Sequence, residues 1–95
     1  MDTRFWGPDG WKLLHSIVDR YPSKPSSTDK ETYKIFINSL KHVLPCIYCR
    51  RSLDDYTKNL PVDSYLKNKS SLKRWLYEIH NMVNDKLRKQ GLNDK

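Results

Sequence analysis

A chain of 95 residues has room for one small domain, because a chain this short buries only somewhat more than ~60% of its unfolded surface. Its 18 Lys and Arg against 11 Asp and Glu give a formal charge of +7, but both signs are interspersed, as in Asp29-Lys30-Glu31 and Asp85-Lys86. That pattern reads as solvated helix faces rather than a nucleic-acid groove. No apolar run approaches the ~18 residues that span a bilayer, and the N-terminus lacks the apolar core of a signal peptide, so a soluble chain is expected.

Trp11, Leu14, His15 and Val18 recur at helical spacing from Gly10 to about Tyr21, where Pro22 disfavours helical geometry in the residue before it. Ser23 to Ser27, with Pro25 among them, read as a loop. Thr28-Asp29-Lys30-Glu31 then has the form of a capping box and predicts the start of a second helix. Its buried stripe is Tyr33, Phe36, Ile37, Leu40 and Val43 or Leu44, stopping at Pro45. A third helix is expected to open at the cysteines, with Cys49, Leu53 and Tyr56 on one face and a break at Asn59-Leu60-Pro61. Leu60 to Lys69 has room for one short helical turn. Ser70 or Ser71 can cap a last long helix striped by Leu72, Trp75, Leu76, Ile79, Val83 and Leu87, with Gln90-Gly91 as its stop. With no alternating strand in view, the expectation is a single all-α domain, a four-helix bundle, and bundles build cofactor sites from facing helices.

Cys46 and Cys49 are the only cysteines, spaced as Pro45-Cys46-Ile47-Tyr48-Cys49. Closing so short a loop removes little entropy from the unfolded chain, so a bridge there is a poor staple. If Pro45 opens a helix, the thiols stand at i and i+3, ~5–6 Å apart and wider than the ~3.5–4.5 Å a disulfide prefers. Such a bridge is strained and reducible, which points to redox chemistry. Helix N-terminal amides and the positive end of the dipole favour thiolate over thiol, so a lowered cysteine pKa is expected.

His15 in the first helix and His80, Asn81 and Asn84 in the last are polar residues placed beside apolar stripes. At spacings of three and four, His80, Asn81 and Asn84 project from one strip, where amides can hydrogen-bond a polar heterocycle or its ribose.

Trp11-Lys12-Leu13-Leu14-His15 with Tyr21-Pro22, then Pro45-Cys46-Ile47-Tyr48-Cys49, then His80-Asn81-Met82-Val83-Asn84 with Leu87 resemble, in order, three separated motifs of the Erv/ALR family of FAD-dependent sulfhydryl oxidases. Arg74-Trp75 also fits the family pattern, and the resemblance runs from about Gly7 to Gly91. It implies an Erv/ALR-type bundle over 1–95 that holds FAD non-covalently, with the cysteine pair against the flavin and a homodimeric assembly. Cys46 and Cys49 would be catalytic: Cys46 as the interchange sulfur that meets protein thiol substrates, Cys49 as the flavin-proximal one. Trp11, His15, Tyr21, Trp75, His80, Asn81 and Asn84 would line the FAD, with Lys86 and Arg88 near its pyrophosphate. Electrons would pass to oxygen, giving hydrogen peroxide, and a thioredoxin-like carrier could deliver them.

Three departures from the family qualify this. Pro8 follows Gly7 where many members have Arg; the second, shuttle cysteine pair and the further structural pair are missing; and the chain stops soon after Gly91, where the family has a last short helix. Phe5-Trp6-Gly7-Pro8 and the missing cysteines resemble the viral branch, which would place the protein in a host cytoplasm or virion, with the mitochondrial intermembrane space or secretory pathway as alternatives.

Other chemistries share parts of this set. Cys46 and Cys49 with histidines could bind zinc, although His15, His42 and His80 are too widely separated for the usual paired spacing, and no metal is expected. His42 reads as an ordinary hydrogen-bonded histidine. A thioredoxin-like oxidoreductase needs strands around its C-x-x-C. A basic helical module with incidental thiols would be colourless and would lose nucleic-acid affinity steeply with salt.

Overall fold

The computed structural model describes the backbone of residues 3–89, with side chains 3, 4, 48 and 87–89 left outside the description. Four α-helices and one 3-10 turn follow in order: α1 (Thr3–Asp19), α2 (Ser27–Val43), α3 (Ile47–Asn59), the turn Val62–Tyr65 and α4 (Lys69–Lys89). The molecule is an all-α bundle. Helix α1 lies on α4 and α2 on α3, while α3 also meets α4 and the 3-10 turn wedges against α4 and α2.

Helix α1 begins earlier than the periodicity indicates, because it runs through Gly7-Pro8. Proline clashes with the Cβ of a helical residue before it, and Gly7 has none, so the helix continues into Pro8 without that clash. The Trp6 ring also lies over Gly10, one turn on: a methyl at Gly10 would sit 3.4 Å from Trp6 Cε3. The exit follows expectation. Arg20 N–H and Tyr21 N–H bond back to the Ile17 and Val18 carbonyls at 3.2 and 3.0 Å, a tightened last turn before Pro22.

Two caps differ from those expected. Helix α2 starts at Ser26, not Thr28: Ser26 Oγ accepts from Asp29 N–H and Asp29 Oδ2 accepts from Ser26 N–H, both at 3.0 Å, a capping box shifted two residues upstream. Helix α4 is capped by Asn68, whose Oδ1 accepts from Ser71 N–H at 2.8 Å, so Ser70 and Ser71 lie inside the helix. The expected stop at Gln90-Gly91 lies outside the described residues.

The core is built from Val18, Tyr21, Ile37, Val62, Leu66, Leu72, Trp75, Leu76 and Ile79. Leu72, Trp75, Leu76 and Ile79 are the expected α4 stripe; the Leu87 side chain lies outside the description. Of the two candidates ending the α2 stripe, Val43 is 66% exposed. Ion pairs Lys34–Asp63, Lys41–Asp54 and Lys73–Asp19 tie neighbouring elements at 3.0, 3.3 and 3.1 Å, each worth little at a solvated surface.

Candidate active site

Cys46 is not inside a helix. It is the extended N-cap of α3, with Pro45 before it, and its Sγ accepts from the Cys49 N–H at 3.4 Å, while Arg50 N–H bonds the Cys46 carbonyl at 3.0 Å. A prolyl residue leaves its predecessor extended, so Pro45 turns the chain and the cysteine takes the place usually held by Ser or Asp. Both cysteines are half-buried thiols.

The expectation of a lowered pKa does not hold for Cys49. Burial, followed by the hydrogen bond and charge of Cys46, pushes its thiol up to about 12, outweighing the opposing Arg50 and Lys86 cations. Helix position alone would have stabilised the thiolate. Desolvation against the bundle decides otherwise.

A second group gathers where α1 meets α4. The Trp11 and His80 rings stack with centroids 3.9 Å apart and planes 12° from parallel, and His15 Nε2 lies 3.2 Å from His80 Nδ1. Burial and then His15 lower the His80 pKa below its usual value, which favours the neutral imidazole. On the same helix Asn84 is half-buried and Asn81 exposed. One turn before Trp11, the indole N–H of Trp6 is buried with no hydrogen-bond partner among the described residues. A buried donor of this kind is costly unless something accepts from it.

Farther along α4, Lys86 Nζ lies 2.6 Å from Ser52 Oγ on α3. With Tyr56, Met82 and Asp85, Lys86 lines an open groove of about 340 Å³. Lys86 and His80 are separated by about 9 Å along the helix axis. The two groups thus stand on one helix, and Cys49 feels the Lys86 charge from across the α3–α4 contact.

Trp11, His15, His80, Cys49 and Lys86 therefore occupy surfaces that a ligand can reach. Tyr21 and Trp75 do not. Tyr21 is 0% and Trp75 2% exposed, and their polar tips donate to the Leu66 and Leu60 carbonyls at 2.6 and 2.7 Å. Both anchor the segment between α3 and α4 to the core. The Arg88 side chain lies outside the described residues. Ser52 and Trp6 are not among the site residues expected from the sequence: a serine one turn after Cys49 carries no distinctive pattern, and Phe5-Trp6-Gly7-Pro8 bears on the branch of the family rather than on a site. Among the described residues, no group of three or more His, Cys, Asp or Glu is placed to hold a metal ion, and no helix is long and apolar enough to cross a membrane.

The sequence model of the Erv1 / Alr family matches residues 8–95. The chain belongs to that family. A yeast structure described as the FAD binding domain of Erv1 from Saccharomyces cerevisiae superposes with a TM-score of 0.87 at 35% identity, covering 93% of this chain and 82% of that one. The probable FAD-linked sulfhydryl oxidase R368 of Acanthamoeba polyphaga mimivirus is 38% identical over 85 residues, 88% of this chain and 59% of the relative. The mitochondrial FAD-linked sulfhydryl oxidase ERV1 of S. cerevisiae is 37% identical over 89 residues, 93% of this chain and 46% of the relative. The chain thus spans roughly half the length of these curated Erv1 / Alr relatives. The four-helix Erv/ALR-type fold, with its cysteine pair at the start of α3, is as expected.

Proposed function

We propose that this domain is an FAD-dependent thiol oxidase that forms disulfides in protein thiols through Cys46 and Cys49. The observation that carries the reading is the pairing of a Cys46-capped α3 with an α4 bearing His80, Asn84 and Lys86, in a chain of the Erv1 / Alr family.

The residues present suit FAD. The unpartnered indole N–H of Trp6 calls for an acceptor, the Trp11–His80 stack and His15 offer flat rings and imidazole nitrogens, and Lys86 supplies a cation. Trp11, His15, His80, Asn81 and Asn84 would hold ring and ribose, and Lys86 a phosphate, with Tyr21 and Trp75 as support behind them. Bound there, FAD would supply an acceptor for the two electrons and two protons released per disulfide formed, with dioxygen as the final acceptor and hydrogen peroxide as the product.

Catalysis starts from the Cys46–Cys49 disulfide. A substrate thiolate attacks Cys46 Sγ; a substrate–Cys46 bond forms as the bond to Cys49 breaks, and Cys49 departs as thiolate. A second substrate thiolate then attacks the substrate sulfur, releasing the substrate disulfide and Cys46. Burial opposes the Cys49 thiolate, and Arg50 and Lys86 offset part of that cost. Thiolate nucleophilicity rises with pKa while leaving ability falls, so the raised Cys49 pKa strengthens its attack on an acceptor and slows its departure from the disulfide.

The assembly proposed is a homodimer, testable by sedimentation, with a thioredoxin-like carrier among its partners. Viral relatives such as the mimivirus protein support a viral origin and a host cytoplasmic or virion location, while the yeast mitochondrial relative supports the alternative; immunolabelling of infected cells would decide. The visible spectrum is the first test. A yellow protein whose flavin bleaches on anaerobic dithiol addition is expected; a colourless protein that takes up no FAD overturns the reading. Cys46→Ser and Cys49→Ser should each keep FAD and lose turnover by roughly a thousandfold or more, measured as oxygen consumption.

A further inference from the structure

We infer that the groove between the end of α2 and the first turns of α3 receives an acidic stretch of the thiol substrate, so that cysteines flanked by Asp or Glu are preferred; this rests on the thiol-oxidase reading above. The groove has a volume of about 270 Å³ and is lined by Lys41, His42, Ile47, Arg50, Arg51 and Asp54. Three of these six side chains are cations and one is an imidazole. The single carboxylate is already engaged, since Asp54 pairs with Lys58 at 3.2 Å and Lys41 at 3.3 Å, and hydrogen bonds from Lys58 and Lys41 hold it below the usual carboxylate range. Arg50 donates to the Leu44 carbonyl, which fixes one wall to the segment leading into Pro45-Cys46. Arg51 and His42 are exposed, and Arg51 makes no ion pair among the described residues. Ile47, 45% exposed, adds an apolar contact beside these charges.

Position relates this groove to the chemistry. Ile47 follows Cys46 directly and the Arg50 amide bonds the Cys46 carbonyl, so groove and interchange sulfur share the first turn of α3. An extended peptide advances ~3.3 Å per residue, so a substrate whose cysteine reaches Cys46 lays its near neighbours in the groove. Cations there attract acidic flanks and repel basic ones, which acts on encounter rate and on choice of partner.

The test uses the FAD-loaded chain and three equal-length peptides with the same cysteine pair and acidic, neutral or basic flanks, beside a small neutral dithiol as reference. Versions with serine for cysteine report binding by fluorescence anisotropy, independently of turnover. The acidic peptide should bind about tenfold more tightly than the neutral one, and show a matching gain in kcat/KM relative to the dithiol, both shrinking as salt rises. Arg51→Glu should abolish or invert the preference and Arg51→Lys should keep it. Equal binding of acidic and neutral peptides, or a preference that survives Arg51→Glu, overturns the inference. Displacement of the acidic peptide by an oligonucleotide of equal charge at lower concentration than by the peptide itself also overturns it, assigning the groove to phosphate. A chain that binds the acidic serine peptide but oxidises neither peptide nor dithiol supports the charge preference and overturns the oxidase reading.

Discussion

Cys46 and Cys49 differ in environment although only two residues separate them. Cys46 caps α3 from outside the helix, and Cys49 faces the bundle, where burial pushes its thiol from an ordinary 9.0 up to about 12. In the reduced protein the folded state therefore retains a proton that the unfolded chain releases above pH 9. The corresponding stability is full below pH 9 and is lost as pH rises towards about 12. The oxidised protein has no such proton. We predict that the unfolding free energy of the reduced protein, relative to the oxidised one, is flat below pH 9 and falls above it, read by urea unfolding with and without reductant. A difference that stays constant above pH 9 would contradict the buried-thiol assignment. The spacing made the cysteine pair legible as a candidate redox centre, because that reading depends on two thiols close in sequence. The direction of the Cys49 shift was not legible, because it depends on how far packing buries the sulfur.

The helices owe their boundaries to single side chains. Asn68 and Ser26 each satisfy an amide that the first turn leaves unbonded, and Gly7 permits α1 to continue into Pro8. Replacing Asn68 with Ala should cost about 1 kcal/mol in chemical denaturation. Gly10→Ala should do the reverse, by about 0.5–1 kcal/mol, because alanine is the better helix former and its methyl would stand 3.4 Å from Trp6, an ordinary contact. Destabilisation by Gly10→Ala would mean that the Trp6 ring cannot accept the methyl. Periodicity found the bodies of all four helices. It placed caps less well, since Ser26, Thr28, Asn68, Ser70 and Ser71 are all competent capping residues and only the backbone path selects among them.

Across the whole molecule, stability rests on a core to which the connection between α3 and α4 contributes as much as a helix does. Val62 and Leu66 are 2% and 5% exposed, sealed by the Tyr21 and Trp75 hydrogen bonds to Leu66 and Leu60. Ile79, 1% exposed at the centre of α4, is the position where truncation should be felt most widely: Ile79→Ala should lower stability by about 2–5 kcal/mol and Ile79→Val by about 0.5–1.5, measured by urea unfolding. A cost under about 1 kcal/mol for Ile79→Ala would show that the bundle collapses readily into the space. The site inherits its rigidity from this core, because Trp11, His80 and Lys86 stand on helices that α4 holds together.

By itself the sequence determined the class of fold, the number and order of the helices, the reactive cysteine pair and the family, since each depends on residue type and spacing along one chain. Tertiary structure alone decided which polar and aromatic residues share a surface. It stacked His80 on Trp11, brought Lys86 to Ser52, sank Tyr21 and Trp75 into the core and set Lys41 and His42 beside Arg51. These outcomes turn on how helices distant in sequence pack, and on the water that packing removes from each group. Neither is encoded in local periodicity.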